Sequence, residues 1–136
     1  MGAVVLHAKD TEWQQGRQGR VRYISHFSFW HKQAAPGWMV FEQDIRRHSG
    51  KHVHQGGLNI FVLEGIGYST VNGVRYDWKK GDLIVLPIQP GGCEHQHFNL
   101  REGEPCRWMA FVYRPLKDAL GQEFRQVETS PDWSNG

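Results

Sequence analysis

Two pairs of histidines define the chemistry open to this chain. His52 and His54 are separated by one residue, and so are His95 and His97. On a β-strand, residues i and i+2 point to one face, so each pair lays two imidazoles side by side. Neutral imidazole carries a lone pair, and two rings on one inward face can reach a common cation at about 2.0–2.2 Å. Such ligands suit iron, zinc, copper and nickel. Histidines on a surface, or tied up in hydrogen bonds, are the plainer alternative for each pair. His97 shares a face with His95, so either could complete a site begun by His52 and His54, the other then serving as an orienting or acid–base group.

Further candidates flank the first pair. Arg46 and His48 precede it at even spacing. On an unbroken strand they would line the same interior, Arg46 gripping a substrate carboxylate through its planar fork and His48 acting on a proton. Ser49-Gly50 stands where that strand would be interrupted. Cys93 and Cys106 are the only cysteines. Two cannot build a disulfide framework or a zinc ribbon.

The elements that must position these side chains are short and β-rich. Ten of the sixteen glycines fall between Gly50 and Gly103. Between them lie Leu58–Leu63, Tyr68–Val71, Val74–Trp78, Leu83–Leu86 and His95–Leu100, followed by Trp108–Tyr113. Short strands with regular turn signals argue for an all-β sandwich or barrel. Asn72-Gly73 is a hairpin signal, since both residues tolerate the positive φ of a type I′ turn. Upstream, Trp38–Arg47 reads as a strand, with Val21–Ile24 and Phe27–Trp30 as two more. Leu116, Leu120, Phe124 and Val127 recur every three to four residues, which predicts one short C-terminal amphipathic helix, weakened by Gly121.

In this setting the histidines resemble the two motifs of the cupin superfamily. The first motif, a His-x-His pair followed by a Glu and then a Gly, is matched by His52, His54 and Gly65, with Leu58 where the Glu would stand. The second, Gly, Pro, His and Asn in order, is matched by Gly81, Pro87, His95 and Asn99, with extra residues in the turn around Pro90. The family spacing favours His95 over His97 as third ligand. The resemblance implies a double-stranded β-helix, the cupin jelly-roll barrel, spanning 1–136 as a single domain with its motifs at about 50–113. It implies a divalent metal inside, held by His52, His54 and His95, with Fe(II) favoured and zinc, nickel or manganese as alternatives. Leu cannot bind a metal, and Asn59 would need a register slip that turns it to the other face. Three-His cupins resemble gentisate-type, diketone-cleaving and thiol dioxygenases. The implied activity is therefore a non-haem iron dioxygenase acting on a small aromatic or dicarbonyl acid. The alternative is a non-catalytic cupin that binds a metabolite or metal in a regulatory or storage role.

Composition narrows the partners. The 136 residues carry sixteen Lys+Arg against fourteen Asp+Glu, a net charge of +2. That balance gives no electrostatic case for nucleic acid. No apolar run approaches a membrane span, and no signal peptide is visible, so a cytoplasmic protein is expected. The aromatic stretch Phe27, Phe29, Trp30, Trp38 and Phe41 presents more apolar area than one small barrel readily hides. A homodimer is expected on that ground.

Overall fold

A computed structural model describes residues 2–121 and 124–132. Eleven strands alternate along the chain: β1 (Gln14–Gly16), β2 (Gly19–Ser25), β3 (Trp38–Asp44), β4 (Lys51–His54), β5 (Asn59–Glu64), β6 (Ile66–Val71), β7 (Val74–Lys79), β8 (Leu83–Val85), β9 (Cys93–Asn99), β10 (Arg107–Tyr113) and β11 (Arg125–Glu128). A single α-helix, α1 (Arg114–Ala119), follows β10. The strands form two antiparallel sheets, ordered β1-β2-β3-β10-β5-β8 and β11-β4-β9-β6-β7. The all-β sandwich or barrel expected from the turn spacing is observed, and it is the jelly-roll that the resemblance implies.

Alternation builds the interior. In β10, Trp108, Ala110 and Val112 are buried while Phe111 and Tyr113 are exposed. In β5, Ile60 and Val62 are buried while Phe61 is exposed. These inward rows join Ile45, Leu58, Trp78, Leu86, Cys93 and Cys106 in one core, with Met39 and Phe41 packed against it. The hairpin between β6 and β7 turns at Asn72 and Gly73, with φ of 51° and 82°, the left-handed pair that a type I′ turn requires. Where β4 ends, Gly56 passes so close to Pro87 that an added Cβ would lie 1.8 Å from the Pro87 carbonyl oxygen. Only glycine fits there.

Three expectations need correction. Phe27–Trp30 is not a strand but part of a 3-10 segment, Phe27–Lys32, opened by the His26 ring accepting from the Ser28 N–H. The C-terminal helix ends at Ala119. Gly121 takes φ +74°, Val127 lies on β11 instead, and β11 pairs with the edge of β4. Leu116 and Val127 are exposed, and the buried residue of α1 is Lys117. The apolar period was thus no buried stripe. The aromatic stretch is also divided: Phe41 lines the interior, while Phe27 and Trp38 are exposed.

Asn99 holds the end of β9 to two loops. Its amide donates toward the carbonyls of Ile45 (3.1 Å), Arg46 (3.2 Å) and Glu104 (3.0 Å), and its carbonyl accepts from the Arg101 N–H at 2.9 Å. Removing it strands buried backbone groups, at about 1–3 kcal/mol each where water cannot replace the bond. Asn99→Ala should cost about 2–3 kcal/mol and lower the melting temperature by roughly 10 °C. Scanning calorimetry checks this, and a shift within about 2 °C would mean that the clamp is dispensable.

Candidate metal centre

The pairing of β4 with β9 brings the two histidine pairs together. His52 stands opposite His95, and His54 opposite Cys93. The three rings pack with centroids 4.3–4.8 Å apart, and one ligand atom from each of His52, His54 and His95 lies within 4.8 Å of the others. They line a cavity of about 300 Å³ whose walls include Met39, Phe41, Leu58, Ile60, Trp108 and Val112.

Each ring is held by one nitrogen. His52 Nδ1 is 2.7 Å from the side-chain oxygen of Gln18. His54 Nδ1 is 2.7 Å from the Gln55 carbonyl, and His95 Nδ1 is 3.1 Å from the Cys93 carbonyl. A carbonyl oxygen only accepts, so each Nδ1 carries the proton and each Nε2 keeps its lone pair. Three Nε2 donors on converging neutral imidazoles are what a divalent cation requires. The residues therefore fit a metal.

His97 has the opposite polarity. Its Nδ1 is 2.6 Å from Ser69 Oγ, which in turn accepts from the Trp78 indole N–H at 2.8 Å. Ser69 is fully buried, and its hydroxyl proton has His97 Nδ1 as its acceptor. His97 then carries its own proton on Nε2. It offers a donor, not a lone pair, which separates its part from that of His95.

Burial keeps this cluster neutral. Desolvation first, then the neighbouring rings and the Lys117 ammonium, pushes His52 down to about 3. Burial and then Lys117 push His54 down to about 4. His95 is held well below its usual value by burial and by the other rings. Removing water penalises the charged imidazolium, and a nearby cation penalises it again.

The other candidates lie elsewhere. β3 ends at Asp44 and β4 begins at Lys51, so the even spacing of 46, 48, 52 and 54 is not carried by one strand. Arg46 is exposed, its backbone N–H donates to Asp132 at 2.8 Å, and it borders a different depression with Trp13 and Arg20. His48 meets Gln96 (2.9 Å) and the Phe98 ring (5.2 Å). These residues alternate with His95 and His97 and so project from the other face of β9. Neither Arg46 nor His48 lines the cavity. Leu58 does, buried and apolar at the position of the missing carboxylate.

Sequence reasoning missed Gln18, Lys117 and Phe124. Gln18 reaches His52 across the sandwich. Lys117 projects from α1 to the carbonyl of Gln55 and lies 3.1 Å from His54 Nδ1. Phe124 stacks over His52, ring centroids 5.2 Å apart at 25°. No local spacing links these residues to the histidines.

A family model described as the cupin domain matches residues 39–112. The chain belongs to the cupin family. No match was found among curated proteins. Among solved structures, a uridine complex of a point mutant of Streptomyces PAC13 superposes with a TM-score of 0.67 at 12% identity, covering 97% of this chain and 96% of that one. PAC13 is described as a nucleoside dehydratase. A point mutant of salicylate 1,2-dioxygenase from Pseudoaminobacter salicylatoxidans, in complex with gentisate, gives a TM-score of 0.55 at 20% identity over 67% of this chain. Another point mutant of that enzyme gives 0.55 at 26% identity over 74%. The cupin described here spans only 24–30% of those dioxygenase chains. Among the described residues no helix is long and apolar enough to cross a membrane.

Two outcomes are expected. His54→Ala should lose most of the metal bound by the parent protein, as read by elemental analysis after dialysis. Proton competition should also set in later than for free imidazole, whose pKa near 6.5 would place metal loss below about pH 6. With His52 and His54 depressed to about 3 and 4, metal should stay bound through pH 5. The same shifts act on the metal-free fold. Between about pH 6.5 and 4 the unfolded chain binds protons that the folded site refuses, so the stabilisation present above pH 6.5 is lost as pH falls. Urea titrations of metal-free protein at pH 7 and pH 5 read this directly. Equal stability at both would show that these rings do not resist protonation.

Proposed function

We propose that this cupin is a metal-dependent enzyme, a non-haem dioxygenase acting on a small aromatic or dicarbonyl acid, with iron(II) the favoured ion. The observation that carries the reading is the donor set. Three ring nitrogens lie within 4.8 Å of one another in a largely apolar cavity, and Leu58, where the family motif has its Glu, lines the same wall. A divalent ion held by His52, His54 and His95 would supply a Lewis acid of undiminished charge, open coordination positions and, for iron, the redox couple of oxygen chemistry.

The chain's own residues do the rest. Met39, Phe41, Ile60 and Val112 give an organic substrate an apolar bed and exclude water. The Nε2–H of His97 is a fixed donor for a substrate oxygen, oriented through Ser69 and Trp78. The Ser69 hydroxyl at Nδ1 keeps the one proton on Nε2, and burial, which pushes His97 down to about 3, keeps the ring from taking a second. The likeness to salicylate dioxygenase is in keeping with this reading. The full-length likeness to PAC13, at 12% identity, speaks of fold.

Oxygen uptake by the iron(II)-loaded protein, over a panel of catechols, gentisate-like acids and β-diketones, tests the proposal. One O₂ consumed per substrate molecule is expected. Tight metal and ligand binding without uptake would leave the non-catalytic binder as the function. Leu58→Glu sharpens the test. A carboxylate there should hold or raise metal affinity while lowering oxygen uptake at least ten-fold, by filling an open position. Unchanged turnover would mean that position 58 does not face the reacting centre.

A further inference from the structure

The largely apolar cavity carries two cations and, among the described residues, no acid. Among the described residues no Asp or Glu lines it, whereas Arg114 and Lys117 both do. Three residues apart on α1, they share a helix face. Lys117 is 2% exposed and has no carboxylate partner among the described residues. Among the described residues its ammonium donates to the Gln55 carbonyl and, at 3.5 Å, toward the Gly56 carbonyl, and lies 3.1 Å from His54 Nδ1, whose proton leaves it nothing to accept with. A buried charge without a counter-ion is costly.

Arg114 is one-third exposed, at the solvent side of the same wall. Among the described residues its guanidinium has only a weak contact to Met39 sulfur at 3.8 Å and an exposed pair with Asp118 at 3.3 Å. A surface pair of that kind is easily given up. A cation buried in the cavity wall without a counter-ion among the described residues asks for a negatively charged guest.

We propose that Arg114 and Lys117 form an anion subsite that receives the carboxylate of the substrate, leaving its apolar body against Met39 and Phe41 and its remaining oxygen atoms toward the three histidines. This deepens the reading of the cavity as a substrate site and assigns the C-terminal helix to specificity. The arginine expected to hold a carboxylate from the sequence, Arg46, is replaced in that part by Arg114.

The test uses protein loaded with zinc, which occupies the site without oxygen chemistry, and two probes: 2-hydroxybenzoate and its neutral amide, 2-hydroxybenzamide. Calorimetric titration should show the acid binding the parent at least about ten-fold tighter than the amide. Arg114→Gln should weaken the acid about ten-fold, the worth of one charge-assisted hydrogen bond, and leave the amide within about two-fold. Lys117→Met should act in the same direction if it folds, and the exposed Arg114 carries the test if it does not. Equal losses for acid and amide, acid affinity unchanged in Arg114→Gln, or no binding of either probe at millimolar concentration would overturn the subsite. Acid-selective binding that depends on Arg114, with no oxygen uptake by the iron-loaded parent, would instead retain the subsite and reject the dioxygenase.

Discussion

Everything at the centre of this molecule depends on the register between β4 and β9. With His52 facing His95 and His54 facing Cys93, three imidazoles stand on one face. A slip of β4 by one residue would turn Val53 inward and send His52 and His54 out, away from His95. β9 is protected from slipping on its other side, where five consecutive pairs with β6 run from Gly67–Asn99 to Val71–His95. Asn99 then fastens its end to the loops after β3 and β9. His95 thus sits on a central strand whose position is fixed by both neighbours and one clamp, and His52 and His54 sit on β4 beside it. A rigid strand holds ligand geometry better than a loop does.

The legible parts of the sequence were those in which chemistry and backbone period coincide. His52, His54, His95 and Asn99 could be placed because a period of two puts alternate residues on one face. Asn72-Gly73 could be placed because few dipeptides accept two left-handed residues. What stayed hidden depends on reach or on competition. Gln18 touches His52 from 34 positions away, and Lys117 touches His54 from 63. No spacing encodes such contacts. The periodic Leu116, Leu120, Phe124 and Val127 misled because the free edge of β4 offered hydrogen bonds to the segment at Arg125, and backbone pairing outweighed a weak helical stripe. Arg46 and His48 misled because Ser49-Gly50 breaks the strand on which their spacing was meaningful.

The two kinds of histidine show how one strand face can carry opposite functions. The neighbours of Nδ1 decide which nitrogen faces the cavity. Beside His52, His54 and His95 an oxygen that only accepts takes the Nδ1 proton, and the free nitrogen keeps its lone pair. Beside His97 the neighbour is a buried hydroxyl already accepting from Trp78, and the free nitrogen becomes a donor. Ser69 and Trp78 lie on β6 and β7, so the polarity of His97 is imposed from the strands behind it. Sequence spacing treats His95 and His97 alike. Their surroundings do not.

The same burial that shapes the site also separates its assembly from its loading. The imidazoles are buried as neutral rings, each with its Nδ1 proton already satisfied, so burying them carries no large desolvation cost. Lys117 is different: its charge is buried among carbonyls and neutral nitrogens, without an opposing charge among the described residues. Val62 and Ala110, fully buried between the sheets, belong to an apolar core built without the histidines. An ion entering such a site adds positive charge beside a lysine that already lacks a partner. Cation repels cation across a low-dielectric cavity, so the loaded site is electrostatically incomplete until an anion joins it. A guest carrying negative charge relieves both the metal and the lysine at once, which makes metal and organic anion mutually reinforcing ligands of one cavity.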